Sequence, residues 1–227
     1  MSESRPALFV GRITVILFKK SNRRGHIVER PEYELLARLR TNLPPKAETK
    51  IRIIEEDEAQ GETAVAYQYF RDQTGRGDVP GILKCFGSNP EFLRQMIDMS
   101  SSLLFCDGHL LRRQKELIAT WISQLNACPY CVDSHAFFLQ VHGAPRATAH
   151  SIAAGSLDSA DISPAERELL VYLEKVNIAS YKTTRDDVLA LIHAGWSEEQ
   201  IAEAVHVAAM MALCNTVANT FGLPPKI

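Results

Sequence analysis

The residues best equipped for chemistry lie in one run, Cys128-Pro129-Tyr130-Cys131-Val132-Asp133-Ser134-His135. Two thiols three positions apart can close a disulfide, one sulfur attacking an oxidant and the other resolving the product. Pro129 suits the first position of a helix, so Cys131 falls in that helix's first turn. Unpaired N–H groups and the positive dipole end favour a thiolate there, and such placement brings a cysteine from about 8.5 into roughly 3.5–7.5. His135 follows one turn later on the same face and can pair with the thiolate or take its proton. Glu116 lies twelve residues before Cys128. If the helices on either side of the cysteines pack antiparallel, Glu116 approaches the site and relays protons with His135. The other reading of Glu116 is a surface carboxylate near a helix start.

The cysteine pair has two further readings. Cys-x-x-Cys with a histidine four residues on supplies three zinc ligands, and His109 or Cys106 would be the fourth; no second Cys or His pair follows at zinc-finger spacing. Alternatively the cysteines are buried and inert. The tetrapeptide CPYC resembles a glutaredoxin site, but that motif follows a buried strand near the start of a chain. Here the preceding residues are helical and lie mid-chain. Other candidates read as structural. Cys85, Cys106 and Cys214 are isolated in apolar helices. His206 reads as a satisfied core histidine. His142 and His193 sit near helix ends, and Trp121 and Trp196 suit the core or a subunit contact.

The elements that position these residues are helical. Glu56–Arg71 is periodic and ends at Thr74-Gly75-Arg76-Gly77. Val79–Phe86 is short. Asn89 caps a helix with Pro90 in its first position, running to about Phe105. Leu110–Asn126 and Pro129–His142 flank the cysteines, and the second is apolar on most sides, so burial is expected. Pro145–Ala154 follows. Ser163 with Glu166, Thr184 with Asp187, and Ser197 with Gln200 open three more helices. A shift of 52 residues lays Glu116 on Glu168, Ala127 on Ala179 and Gly143 on Gly195, with Ser180, Thr183 and Asp187 where the first copy has Cys128, Cys131 and His135. That predicts a duplicated helical hairpin with chemistry kept in one copy.

Composition narrows the class. With 227 residues, 46% of them hydrophobic, the chain can bury a sizeable core. A net charge of −2 and an isoelectric point near 6.4 do not suit a nucleic-acid or membrane-surface binder. Five cysteines in a chain this long do not form a disulfide scaffold, so a reducing, cytoplasmic setting is expected. Residues 1–54 carry twelve Lys and Arg against five Glu and hold a strand-like run, Ile13–Phe18. Residues 1–50 therefore read as a basic N-terminal arm ahead of an all-α body at 51–227. An overlong start to the reading frame is the alternative. No glycine-rich phosphate loop or dinucleotide fingerprint is present, so no nucleotide or flavin site is expected.

Arg113–Ala119 together with Leu125–His135 resembles the AhpD-like branch of the carboxymuconolactone decarboxylase superfamily, most nearly its peroxidase-related subgroup. The family pattern is Glu, eleven residues, Cys-x-x-Cys, three residues, His, and this chain matches it at each position. Val79–Lys84 and Asn215–Gly222 resemble the family too, so the likeness spans about residues 50–227. The resemblance implies an all-helical fold assembled as trimers or hexamers, and a peroxidase in which Cys131 is peroxidatic, Cys128 resolves, and His135 and Glu116 form the proton relay. The chain departs from the pattern at Tyr130, where well-described members have histidine; a phenol near pKa 10 is a poor base at neutral pH.

The expectation is therefore an all-α, AhpD-like helical bundle acting as a thiol-dependent peroxidase on alkyl hydroperoxides or hydrogen peroxide. It needs no cofactor or metal and draws electrons from an external dithiol, a lipoyl or thioredoxin-like protein. It is expected to be a homo-oligomer with neither nucleic-acid nor membrane partners. The alternatives are a carboxymuconolactone-decarboxylase-type enzyme that does not use the cysteines, or a non-enzymatic oligomeric protein with a structural or zinc-binding cysteine pair.

Overall fold

The computed structural model describes residues 48–225. The expected arm lies outside the described residues except for its last three. Of these, Lys50 is tied to the body: its N–H donates to Phe221 O at 2.8 Å and its Nζ to Asn219 O at 3.3 Å.

The helices are α1 Gly61–Thr74, α2 Gly81–Lys84, α3 Pro90–Met99 with a π-helical continuation Ser100–Leu104, α4 Arg112–Leu125, α5 Pro129–Val141, α6 Arg146–Ala153, α7 Pro164–Ala179 with a 3₁₀ turn Ser180–Lys182, α8 Arg185–His193 and α9 Glu198–Phe221. No strand occurs among the described residues, so the body is the all-α bundle the periodicity predicts. The capping signals read in the sequence operate. Asn89 Oδ1 accepts from Phe92 N–H at 3.2 Å. Ser163, Thr184 and Ser197 each accept from the N–H three residues on, and the side chain at that position returns the bond.

α4 is the central helix. Leu117, Ile118, Trp121 and Ile122 are buried, and it packs against α5, α6, α7 and α9. Trp121 donates its indole N–H to Leu170 O at 3.2 Å, which fixes α7 to α4. Burying such aromatic and branched side chains supplies about 1.5–3 kcal/mol each.

Several helix limits differ from the sequence reading, Val79–Phe86 among them, which shortens to Gly81–Lys84. The first helix starts at Gly61, not at Glu56. Lys84 Nζ lies 3.0 Å from Glu55 and 2.9 Å from Glu56. Glu56 also takes Arg71 at 2.6 Å and the Val79 N–H at 3.2 Å. These bonds hold the acidic segment against the body as a loop. The helix opened by Asn89 does reach Leu104, but its last turn widens to a π-helix, closed by Phe105 N–H on Ser100 O at 2.9 Å. The carbonyls at its end are captured by two buried cations: Lys115 Nζ on Leu103 O at 2.7 Å and Arg112 Nη1 on Leu104 O at 3.0 Å. Cations are favoured at a helix C-terminus. Lys115, with no exposed surface, completes its set with Glu203 of α9 at 2.7 Å.

The duplication is visible as two hairpins, α4–α5 and α7–α8, each ended by a glycine with positive φ: Gly143 at 96° and Gly195 at 103°. In the first hairpin the break is three residues, Asn126, Ala127 and Cys128, with Ala127 at φ 47°. In the second it is the 3₁₀ turn. Glu116 is buried whereas its counterpart Glu168 is exposed. Thr183 and Asp187 serve local structure: Thr183 Oγ1 donates to Ser180 O at 2.8 Å, and Asp187 closes the α8 capping box.

His206 is not the core histidine expected. It is exposed on α9. Glu198–Phe221 is long and apolar enough to cross a membrane by length and composition, and half of its most apolar stretch is buried within the body.

Candidate active site

Ala127 places the site. Its left-handed conformation turns the chain within a three-residue connection between α4 and α5, so the two helices run back along each other and Glu116 meets His135. His135 Nδ1 and Glu116 Oε2 are 2.7 Å apart. Glu116 has no exposed surface and His135 is 8% exposed. The other carboxylate oxygen, Oε1, accepts from Arg112 Nη2 at 2.6 Å. A buried carboxylate thus has its charge met by a fixed guanidinium. Its second oxygen accepts the Nδ1 proton of the imidazole, leaving the Nε2 lone pair free to take another.

Arg112 is held from several sides. Besides Glu116 and Leu104 O, its Nη2 lies 3.1 Å from His142 Nε2. An arginine only donates, so His142 Nε2 is the acceptor and its proton sits on Nδ1. The Arg112 guanidinium carbon stands 5.0 Å from the centre of the Phe105 ring, and its backbone N–H is anchored on Asp107 at 2.7 Å.

Cys128 and Cys131 are both free thiols in this structure, 1% and 3% exposed. The thiols of Cys128 and Cys131 act on each other's ionisation. The Cys131 side chain and amide, with the Asn215 side chain, outweigh burial and bring Cys128 down to about 7. The Cys128 side chain, together with burial, pushes Cys131 upward. The helix-terminus argument expected a stabilised thiolate on Cys131; in the structure the two adjacent sulfurs act on each other, so that ionisation of one disfavours ionisation of the other.

Asn215 is buried on α9. Its Nδ2 donates to Ser123 Oγ at 3.0 Å and its Oδ1 accepts from Asn126 at 3.0 Å. Asn126 is paired in turn with Asn177 and accepts from Asn219 on its carbonyl. This polar floor beneath the cysteines links α4, α7 and α9.

Above them is a mostly apolar cavity. Cys131, Ser134 and His135 line it with Phe70, Phe105 and Phe138 among others; Cys128 does not. Tyr130 lines the same cavity. Its hydroxyl accepts the Ile82 N–H at 3.1 Å and lies in the core, where burial pushes its pKa above the ordinary phenol range. Gly81 makes room for it: a Cβ there would come 3.3 Å from the Tyr130 oxygen.

The structure therefore brings together all four residues singled out in the sequence: Glu116, Cys128, Cys131 and His135. It adds Arg112 and Asn215, which the sequence reading passed over. Cys85 and Cys214 are buried in the core, as read from the sequence, and burial pushes each thiol up to about 12. Cys106 gives its thiol proton to Ser102 O at 2.9 Å, and His109 is exposed. Among the described residues no group of three or more His, Cys, Asp and Glu side chains is arranged to hold a metal ion.

Residues 90–174 match the carboxymuconolactone decarboxylase family. The fold is similar to that of an alkylhydroperoxidase AhpD-core, peroxidase-related protein from Ralstonia eutropha JMP134. That likeness is 26% identical, covers 79% of this chain and 93% of the other, and has a TM-score of 0.69. A peroxidase-related protein from Silicibacter sp. TM1040 shares the fold at 22% identity, over 81% of this chain and 95% of its own, also at 0.69. In sequence the chain is similar to the uncharacterized protein YdfG of Bacillus subtilis (strain 168), 23% identical over 133 residues, which are 59% of this chain and 88% of the relative.

Proposed function

We propose that this chain, whose residues 90–174 match the carboxymuconolactone decarboxylase family and whose fold is similar to that of AhpD-like peroxidase-related proteins, is a thiol peroxidase. The observation that carries the reading is that Cys131 and His135 line one cavity, while Cys128 lies beside Cys131 but outside the cavity lining.

In the proposed cycle a hydroperoxide enters the cavity and His135 Nε2 takes the Cys131 proton. The imidazolium so formed is held by the Glu116 carboxylate, as in other carboxylate–histidine pairs. The Cys131 sulfur attacks the distal peroxide oxygen and the O–O bond breaks. The leaving alkoxide collects the proton from His135 and departs as alcohol, or as water when the oxidant is hydrogen peroxide. Cys131 is now a sulfenic acid. The Cys128 thiolate attacks its sulfur, the S–S bond forms, and hydroxide leaves and is protonated by solvent. An external dithiol returns two electrons. Lipoyl or thioredoxin-like proteins have that chemistry, and the dithiol state needed at the start of each turn belongs to a reducing, cytoplasmic compartment.

The test is a thiol count under substoichiometric peroxide, with mass spectrometry of the Cys128–Cys131 peptide. Wild type should lose two thiols per peroxide. Cys128→Ser should accumulate a trappable sulfenic acid at Cys131. Thiols that stay reduced would reject the peroxidase and redirect attention to cysteine-independent chemistry of the superfamily.

A further inference from the structure

The cavity that Cys131 and His135 line holds about 80 Å³. Sites for drug-sized ligands run to roughly 300–1,000 Å³, and a buried cavity of about 150 Å³ takes one benzene ring. The space at the sulfur is about half of the latter, so it suits a molecule of a few heavy atoms. Three phenylalanines from three segments line it: Phe70 of α1, Phe105 just past the π-helical turn, and Phe138 of α5.

Phe70 and Phe138 are buried, whereas Phe105 keeps some exposed surface and is the aromatic wall that reaches solvent. It is held from several sides. Its N–H donates to Ser100 O at 2.9 Å. Its ring meets Phe138 edge-on, with centroids 6.1 Å apart, and the Arg112 guanidinium carbon stands 5.0 Å from its centre. Arg112 is itself fixed by Glu116 and Leu104 O. Phe138 is backed by Phe137 at 5.6 Å between ring centres. Walls packed this closely do not stretch smoothly; an oversized group must displace rings and pays the cost of overpacking.

We infer that the cavity is a size filter in front of Cys131, with Phe105 as its specificity-determining residue. Resting on the peroxidase reading, the substrate class is hydrogen peroxide and short unbranched hydroperoxides such as methyl or ethyl hydroperoxide. Hydroperoxides with bulk on the carbon that bears the peroxide are excluded. In cumene hydroperoxide that carbon carries a phenyl ring and two methyl groups, which must follow the distal oxygen to the sulfur.

The experiment reads the filter by two chemistries on the reduced full chain. One is alkylation of Cys131 by iodomethane and by benzyl bromide, located by mass spectrometry. The other is cysteine oxidation by hydrogen peroxide and by cumene hydroperoxide. Each rate is divided by that of the same reagent with N-acetylcysteine, which removes intrinsic reactivity. The small reagent of each pair should then exceed the large one by about tenfold or more, the penalty expected of overpacking. Phe105→Ala should close most of both gaps, and a ratio cancels any change in the sulfur's own reactivity. Phe105→Leu should close them in part, which keeps the test decisive if Phe105→Ala does not fold. Equal normalised rates within either pair in wild type overturn the inference, as do gaps that both Phe105 variants leave unchanged. Hydrogen peroxide that fails to oxidise the cysteines counts against the peroxidase reading alone, and the alkylation ratios then decide the filter.

Discussion

At the residue scale the two adjacent sulfurs act on each other: the Cys131 side chain and amide bring Cys128 down to about 7. A depressed pKa places the thiolate above that pH, so alkylation of Cys128 should rise through about pH 7 rather than the ordinary 8.5. Cys131→Ala deletes that neighbour. Cys128 should then move upward and react about tenfold more slowly at pH 7, as read by iodoacetamide kinetics with the site of modification located by mass spectrometry. An unchanged profile would show that the two sulfurs do not act on each other. The types and spacing of Glu116, Cys128, Cys131 and His135 were legible in the sequence, because each belongs to one short motif spanning adjacent helices. The mutual effect of the two sulfurs was not, since helix-terminus reasoning treats each thiol alone. Arg112 had a visible signal, four residues before Glu116 on the same helix. Asn215 had a fainter one, as a lone amide on the buried face of an apolar helix.

Among the elements, the α4–α5 hairpin depends on one uncomfortable residue. Ala127 holds φ 47° where an L-residue with a Cβ pays about 1–2 kcal/mol. Ala127→Gly removes that strain and adds freedom to the unfolded chain, an opposing cost of about 0.4–1 kcal/mol. The net expectation is a gain of up to about 1 kcal/mol, or roughly 2–4 °C in Tm for a protein of this size. Calorimetric melting of the reduced protein checks it, and a lowered Tm would mean the Ala127 methyl packs usefully. Helix positions followed from caps and periodicity. Two features did not. The π-helical turn at Ser100–Leu104 has no pattern of its own; it is stabilised by Arg112 and Lys115 reaching its carbonyls from the next helix. The unwound Glu55–Glu56 segment reads as helix until Lys84 and Arg71 draw its carboxylates inward.

At the scale of the whole molecule, α9 carries an outer face that a single copy leaves bare. Ala202, His206, Ala209, Leu213, Thr216 and Thr220 recur at spacings of four and three with no Asp, Glu, Lys or Arg among them, and Leu213 is 38% exposed. Alternating spacings of this kind form the seam of paired helices. The expected homo-oligomer would bury it. Light scattering at micromolar concentration should return a multiple of 25.3 kDa, and Leu213→Glu should reduce it towards one copy with the circular dichroism retained. A single-copy mass in wild type would sink this proposal. The depth of the cysteines has a different consequence. With Cys128 and Cys131 almost wholly enclosed, a disulfide formed between them is shielded from any donor too broad to follow the oxidant inward. Steric passage, more than reduction potential, would then decide which thiols in a crowded pool can reset the protein. A slender dithiol on a flexible tether meets that condition, and a cysteine fixed on a flat protein surface does not.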